Sequence, residues 1–583
     1  MALVESIDEI PEFMTWLTAA CQGGILAIDT ETCDLDWTQQ RFTRLVQFGD
    51  RTSGWAVPIE WWPRLVHQAM ALVRDSGATV VMHNAKFDMH ALEDDGYPVP
   101  HWENVEDTMV LHHLVSPHHS HALKTIGVRE LGEWAGMGQW ALKEVFKRTG
   151  TNWSTIPADN YWYWSYAVMD TILTLHVWDK LQACDFSRDA YEREMAYVSI
   201  MYRSEARGMR VDPVAATKLR SEWEEELHNQ ALELKAAGIK NPNSNQQIEA
   251  VLRGLGWDPE EFTDTGQAQL DKIVKAELAT YPGAIGRLAS ELIDYQRKSK
   301  WTSTYIDTFL SKRDSNDRVH PSIKTLGAKT GRSSITGPPL QTLPSRGPMA
   351  HFIKDLVLPF GGDEVLYSID YSGQEYRILA CFAEDEAWLH EFRHGAGDPH
   401  TMVADMLGIT REQAKTFNFA MVYGAGPAKL ALGTGLSVNQ VENFLSIYAN
   451  RFPAIARFIQ ETQRQGYLHL RNGEEAHCTT IGGRRAYADD DQLYALTNYK
   501  IQGSGSDVLK QAVIRLDKVG LADHIIIPVH DELLYSFPRA QAAEMARVCA
   551  DVMEERDWFQ LPIVAEAEGP YERWGSKYNK EHA

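Results

Sequence analysis

The spacing of apolar and polar positions divides the chain into stretches of different period. GILAID (24–29) is a short apolar, β-prone run that ends in an acid, and ATVVMHN (78–84) is a second. Helix-period patterns lie between and after them, so residues 1–185 predict an α/β unit whose strands present acids at their ends. RGMRVDP (207–213), marked by Gly and Pro, reads as a junction. From Val214 to Leu255 the pattern is helical, with a polar break at NPNSNQQ (241–247). GAKTGRSSITGPPLQTLP (327–344) is too rich in Gly, Pro and Ser for regular structure and reads as a functional loop. LYSIDYS (366–372) predicts a strand and residues 411–424 an amphipathic helix. HIIIPVHDELLYSF (524–537) places two apolar β-prone runs around His-Asp, which predicts a hairpin.

Length adds that the 583 residues exceed a single core, and at roughly 150 residues per unit they suggest about four. No apolar run approaches the ~20 residues that span a bilayer, and MALVESIDEIPEF carries acids and no basic segment, unlike a signal peptide. The six cysteines lie far apart without a CxxC, so they read as reduced core residues of a cytoplasmic protein with no membrane partner. The net charge of −23 argues against a nucleic-acid binder at face value. Locally the balance reverses: from Asp294 to Arg346 ten Lys/Arg face four Asp, a net of +6. Such a stripe can hold a phosphate backbone or can be a solvated linker.

Candidate chemistry begins with acids. Asp29 and Glu31 stand at i, i+2, which on a strand puts both on one face. Asp88 follows Asn84 by four, and Tyr166 and Asp170 share a helical face at i, i+4. Four converging carboxylates repel one another unless divalent cations sit between them, and oxygen ligands suit Mg2+ or Mn2+ rather than zinc. Two such ions activate a water and stabilise the leaving oxygen of a phosphodiester, with a tyrosine to orient that water. The nearby His112, His113, His118, His119 and His121 flank a Pro-containing break without zinc-site spacing and read as solvent-exposed loop histidines. A second acid pair, Asp370 and Asp531, ends one predicted strand and tips the hairpin. Between them Arg411, Lys415, Phe419 and Tyr423 recur every fourth residue, a stripe drifting by about 40° per step. Two cations followed by two aromatics would grip a triphosphate and stack on a base.

The first group of acids resembles the three motifs of the DEDD proofreading exonucleases in their tyrosine variant, across about residues 22–180. The second resembles the A, B and C motifs of family A (Pol I-type) DNA polymerases across roughly 190–583, with TGRSS (330–334), LQTLPSR (340–346), DPHT (398–401), TTIGGRR (479–485) and NYKIQGSGSD (498–507) as further matches. The resemblance implies a multidomain α/β and α+β fold: an RNase H-like exonuclease domain (1–185), then a palm, fingers and thumb right hand (186–583). The thumb falls at about 205–315, the palm at about 316–385 and 485–583, and the fingers at about 386–484. It implies two Mg2+ per active site, held by Asp370 and Asp531 for synthesis and by Asp29, Glu31, Asp88 and Asp170 for exonuclease action, with Tyr166 placing the water and Glu532 as a less essential acid. Arg411, Lys415 and His400 would bind the phosphates of the incoming dNTP, Lys415 would also protonate pyrophosphate, and Phe419 and Tyr423 would pack on sugar and base. Glu375 would exclude a 2′-hydroxyl. Arg332, Gln502, His530 and Asn498 would contact primer-template near the terminal pair, checking fit rather than sequence, while Lys298, Lys300, Tyr305 and the NPNSNQQ loop would hold the duplex backbone.

Departures from the family pattern are Glu412, Ala420, Pro339 and Thr342. Phe419 is the variant associated with poor use of dideoxynucleotides. The order of domains implies no 5′-nuclease, and the stretch from Arg207 to Asp307 leaves no room for the long insertion by which some phage relatives bind a processivity factor. That profile resembles a compact, monomeric bacteriophage replicative polymerase. The alternatives are an exonuclease with an inactive polymerase-like DNA-binding region, a scaffold protein, and an RNA-making enzyme. Glu375 speaks against the last.

Overall fold

The computed structural model describes residues 1–34, 36–38, 43–263, 266–343, 349–395, 397–422 and 426–578. The first acidic run becomes the strand Ile25–Thr32 at the middle of a six-stranded sheet. The strand order is Ala2–Leu3, Gly54–Pro58, Thr43–Gly49, Ile25–Thr32, Thr79–Met82, Val105–Asp107. Ile25–Thr32 pairs antiparallel with Thr43–Gly49 and parallel with Thr79–Met82. Strands covered on both faces are apolar in near-continuous runs, and every residue of Thr43–Gly49 is buried. The Tyr161–Gln182 helix crosses this sheet and is apolar almost all round, as a helix sandwiched between layers must be. Gly49 allows the approach: a Cβ there would sit 2.1 Å from Thr171 Oγ1.

The Arg188–Arg207 helix runs from this unit into the next and is fastened at both ends. Near its C-terminal end Glu205 pairs with His90 at 2.9 Å and with Lys86. Nearer its start the buried Glu194 meets Arg484 and Lys510. The junction expected at 207–213 turns at Gly208 (φ 69°), forms a two-residue strand Met209–Arg210 against Arg318–Val319, and ends at Asp212. Asp212 caps the Pro213–Ala236 helix by accepting from the amides of Val214 (3.1 Å) and Ala215 (2.9 Å). The polar break expected at 241–247 ends at Ser244, which caps the next helix, Asn245–Gly254, so 245–247 are helical.

The second acid pair belongs to a four-stranded antiparallel sheet, ordered Ile525–Val529, Glu532–Pro538, Glu364–Tyr371, Ala565–Tyr571. The predicted hairpin is present, with His530 and Asp531 as its turn. The Gln374–Ala383 and Ala495–Lys518 helices contribute to the same large apolar core as this sheet. The amphipathic segment forms the Arg411–Val422 helix. The segment 327–344 is not wholly irregular: Ser334–Thr336 pairs with Ser322–Lys324, and Leu340–Thr342 makes a single tight turn. No helix among the described residues is long and apolar enough to cross a membrane.

Candidate active sites

Asp29 and Glu31 leave one face of their strand, opposite Gln47 and Leu45 in register. The Tyr161–Gln182 helix supplies Asp170, and carboxylate oxygens of Asp29, Glu31 and Asp170 lie within 4.8 Å of one another. Asp88, in the first turn of the Ala85–Asp94 helix, is buried and accepts from the Thr30 amide (3.1 Å) and hydroxyl (2.6 Å). Burial pushes the Asp29 pKa up to about 6, with Lys124 pulling it back. Burial, and then the charge of Asp29, hold Glu31 and Asp88 well above the carboxylate range. Asp88 stands outside the 4.8 Å group but near enough for its charge to act on Glu31; the oxygens of Asp29, Glu31 and Asp170 are ligands of the kind divalent cations such as Mg2+ take. Tyr166, one turn before Asp170, is held well above the usual phenol value by burial and by Glu31 and Asp29, so it keeps its proton at neutral pH.

Lys124 was not singled out from the sequence, yet it lies inside this cluster. Its ammonium contacts Asp170 and sits 4.4 Å over the Tyr166 ring. Burial lowers its pKa to about 8, against the pull of Asp29 and Glu31. The neighbouring histidines differ from the expectation of an exposed loop. His112 is fully buried and bonds His121 at 2.7 Å, and His113 stacks on His121 at 3.6 Å. Burial takes His112 to about 3 and His113 to about 2, so these rings pack as neutral imidazoles. His118 and His119 keep a more open position, with ligand atoms within 4.8 Å of Glu475.

In the second sheet Asp370 stands directly opposite Glu532 on one side and Glu566 on the other. Asp531 precedes Glu532 at a turn where His530 adopts φ 60°, a left-handed conformation uncommon for a side-chain-bearing residue and frequent at functional turns. Burial pushes Asp370 up to about 7; Lys577 opposes this, and Glu532, Asp531 and Glu568 add to it. Asp531 is also raised, chiefly by burial, with Arg332 and His530 opposing. Among the described residues no three of these acids bring their oxygens within 4.8 Å of one another, as Asp29, Glu31 and Asp170 do; the donors are nonetheless oxygens of the kind a hard divalent cation takes.

On the helical side, Arg411 pairs with Asp398 at 2.7 Å. Asp398 also accepts from the His400 amide (3.0 Å) and Thr401 hydroxyl (2.7 Å). Burial opposes its ionisation, but Arg411 and these bonds hold it down at about 2. Burial lowers His400 to about 4, with Arg411 and Lys415 adding to the effect. Its Nδ1 accepts from Asn418 at 3.1 Å, which leaves Nε2 with the proton. Lys415 lies one turn beyond Arg411. The side chain of Phe419 and all of Tyr423 lie outside the described residues.

The remaining candidates fall at several places. Arg332 donates to Glu375 at 2.6 Å. Gln502 is buried on the Ala495–Lys518 helix, where Asn498 is half-buried. His530 bonds the Gln341 carbonyl at 3.1 Å. Lys298 is engaged by Asp294 (2.7 Å) and Glu226 (2.5 Å), whereas Lys300 is exposed. Tyr305 bonds Thr342 at 2.7 Å and the Pro339 carbonyl at 3.3 Å, so two of the departures from the family pattern meet one tyrosine.

Comparisons with known proteins bear on the two halves of the chain separately. Residues 214–576 match DNA polymerase family A and residues 4–184 match the 3′-5′ exonuclease family. The chain therefore belongs to DNA polymerase family A, with a 3′-5′ exonuclease domain ahead of the polymerase domain. It is similar to the DNA polymerase of Mycobacterium phage D29, 31% identical over 613 residues that cover 100% of this chain and 97% of the relative. The DNA polymerase of Mycobacterium phage L5 is 29% identical, with coverage of 100% and 97%. DNA polymerase I of Pseudomonas aeruginosa is 26% identical over 95% of this chain and 64% of its own length. In fold it resembles the polymerase domain of Pol1 from M. smegmatis, solved with DNA primer-template and dNTP, at TM-score 0.79 and 21% identity, covering 99% of this chain and 100% of that one.

Proposed function

We propose that the chain replicates DNA, extending a primer 3′-hydroxyl on a template at one acid site and proofreading it at the other. The observation that carries this reading is Asp370 opposite Glu532, the residue that follows the His530–Asp531 turn, in the chain that also holds the Arg411–Lys415 helix face. Asp370 and Asp531 would hold two Mg2+ (Mn2+ as a substitute), which supply activation of the 3′-hydroxyl and neutralisation of the triphosphate. Arg411, Lys415 and the Nε2–H of His400 bind the phosphates, His400 by donation rather than by charge. Lys415 gives a proton to the departing pyrophosphate. Phe419 and Tyr423 pack on the incoming sugar and base. Glu375, fixed by Arg332, fills the space a 2′-hydroxyl needs, while Arg332, Gln502, His530 and Asn498 meet the terminal pair. Lys298 and Lys300 hold the duplex, Lys298 on release from its acids.

At the other site Asp29, Glu31, Asp88 and Asp170 would hold a second pair of ions, which supply an activated water. Tyr166 orients that water through its retained proton. The thumb is taken as about 205–315, the palm as about 316–385 and 485–583, and the fingers as about 386–484. The protein acts as a monomer in the cytoplasm, that of the bacterial host for a phage enzyme. A primer with a mismatched 3′ end tests the coupling. Wild type removes the mismatch and then extends; Asp88→Ala extends a matched primer but leaves the mismatch in place. Equal mismatch removal by both proteins contradicts the reading.

A further inference from the structure

The segment that follows the Ala565–Tyr571 strand is anchored at several points. Arg573 pairs with Asp212 at 2.6 Å and donates to the Asp355 carbonyl at 2.8 Å. Trp574 is fully buried and its amide donates to the Val357 carbonyl at 3.2 Å. Gly575 has no room for a side chain, since a Cβ would lie 2.1 Å from Asp355 Oδ1. Beyond it the Lys354 ammonium sits 4.8 Å over the Trp574 ring and 3.6 Å over that of Tyr578.

What this anchoring delivers to the catalytic sheet is Lys577. Its ammonium donates to Ser368 Oγ at 2.6 Å and lies 3.3 Å from Glu532 Oε2 and 3.3 Å from Glu568 Oε2. Ser368 donates onward to Glu532 Oε1 at 2.5 Å. Both oxygens of Glu532 are thereby occupied, one by a hydroxyl and one by a cation. Ser368 shares the strand of Asp370 two residues away, and Glu532 is the cross-strand neighbour of Asp370.

We propose that Lys577 is a positioning residue of the polymerase site, which keeps Glu532 and Glu568 away from the ions held by Asp370 and Asp531. Without a counter-charge this end of the sheet gathers five carboxylates, Asp370, Asp531, Glu532, Glu566 and Glu568, of which Lys577 reaches Glu532 and Glu568. A hard divalent cation binds oxygen ligands according to their number and charge, so unpaired glutamates would hold it more tightly and displace it from the geometry the chemistry needs. Lys577 leaves the ions two aspartates. This inference rests on the proposed roles of Asp370 and Asp531.

The test uses the full chain bound to primer-template, with Mn2+ binding and single-turnover dNTP incorporation measured for Lys577→Met and Lys577→Arg. Lys577→Met is expected to bind Mn2+ about three- to tenfold more tightly, from the loss of one nearby positive charge. It should incorporate about tenfold more slowly, within the roughly hundredfold that misplacing a reacting group by an ångström can cost, with the half-saturating dNTP concentration unchanged. Lys577→Arg should match wild type in both, and adding Glu532→Gln to Lys577→Met should return Mn2+ binding to the wild-type midpoint. Unchanged or weaker Mn2+ binding by Lys577→Met, or an arginine variant no better than methionine, overturns the proposal. Should Lys577→Met fail to fold, Ser368→Ala frees only Glu532 Oε1: tighter Mn2+ binding supports the proposal and unchanged binding overturns it. Asp370→Ala checks the underlying assignment separately, since retained incorporation there sinks the polymerase site itself whatever Lys577 does.

Discussion

Replacing Glu194 with Gln is expected to destabilise the protein more than replacing Lys510 with Met, although the two side chains touch. Glu194, Arg484, Lys510 and Asp507 are all buried, with Arg193 at 3.9 Å from Asp507. Three cations thus face two carboxylates. Burial opposes ionisation of Glu194, but Arg484 and Lys510 hold its pKa below the ordinary value, so it stays charged at neutral pH. Glu194→Gln leaves three cations around one carboxylate, the loss of a buried partner that typically costs about 3–5 kcal/mol. Lys510→Met leaves two of each sign. It loses the ammonium's bonds to Glu194 (2.8 and 3.0 Å), which keeps Arg484, and those to the carbonyls of Thr325 (2.9 Å) and Gly331 (2.7 Å), the latter still bonded by Ser506 at 2.8 Å. Leaving one buried acceptor poorly satisfied costs about 1–3 kcal/mol. The double variant should cost less than the sum, by about 1 kcal/mol or more, because the sites share partners. Urea unfolding followed by tryptophan fluorescence measures all three. Those two carbonyls flank Arg332, so Lys510→Met should also slow primer extension more than single-strand degradation. A Lys510→Met cost equal to or above that of Glu194→Gln would refute the charge count. The sign with pH follows from a depressed carboxyl: Glu194 contributes above about pH 4.5, and its contribution is lost as pH falls through the folded value.

Asp29, raised to about 6, and Asp370, raised to about 7, bind more protons folded than unfolded between about pH 4 and those values. Metal-free protein should therefore lose stability as pH rises through that window, and Mg2+ should raise the Tm more at about pH 7.5 than at about pH 5; equal shifts would speak against metal at these acids. Lys124→Met should lower the Tm in EDTA by several degrees, as about 1–2 kcal/mol of lost charge compensation implies, and leave it nearly unchanged in Mg2+, which offsets the same repulsion; equal losses in both buffers would sink that idea. Glu375→Ala should raise ribonucleotide use relative to deoxyribonucleotide use by at least about tenfold, the 1.4 kcal/mol scale of a removed clash. Slower incorporation at an unchanged ratio would count against the gate.

The acid motifs were legible in the sequence because each sits on a short element of recognisable period: Asp29 and Glu31 on a β-run, Tyr166 and Asp170 on a helix. The turn at His530 was legible from the two apolar runs around it. Asp370 and the Asp531 turn stand 161 residues apart in the sequence, and only the family resemblance joined them. The Ala565–Tyr571 strand escaped notice for a physical reason. It is an edge strand, mostly exposed, with acids and a Gly-Pro in place of alternating apolar residues. Glu566, Glu568 and, through the segment after it, Lys577 were missed with it. Lys124 lay in a histidine-rich stretch whose rings drew the attention, and those rings proved to pack on one another. The Glu194–Arg484 and Glu194–Lys510 contacts, 290 and 316 residues apart in sequence, leave no local pattern to read.

The central claim is that two separate acid sites build and trim the strand. Primer degradation and primer extension, assayed in Mg2+ with and without dNTPs, test it most directly in Asp370→Ala and Asp29→Ala. The account predicts no synthesis but intact degradation from Asp370→Ala, and normal synthesis without degradation from Asp29→Ala. Loss of both activities in either variant would contradict it.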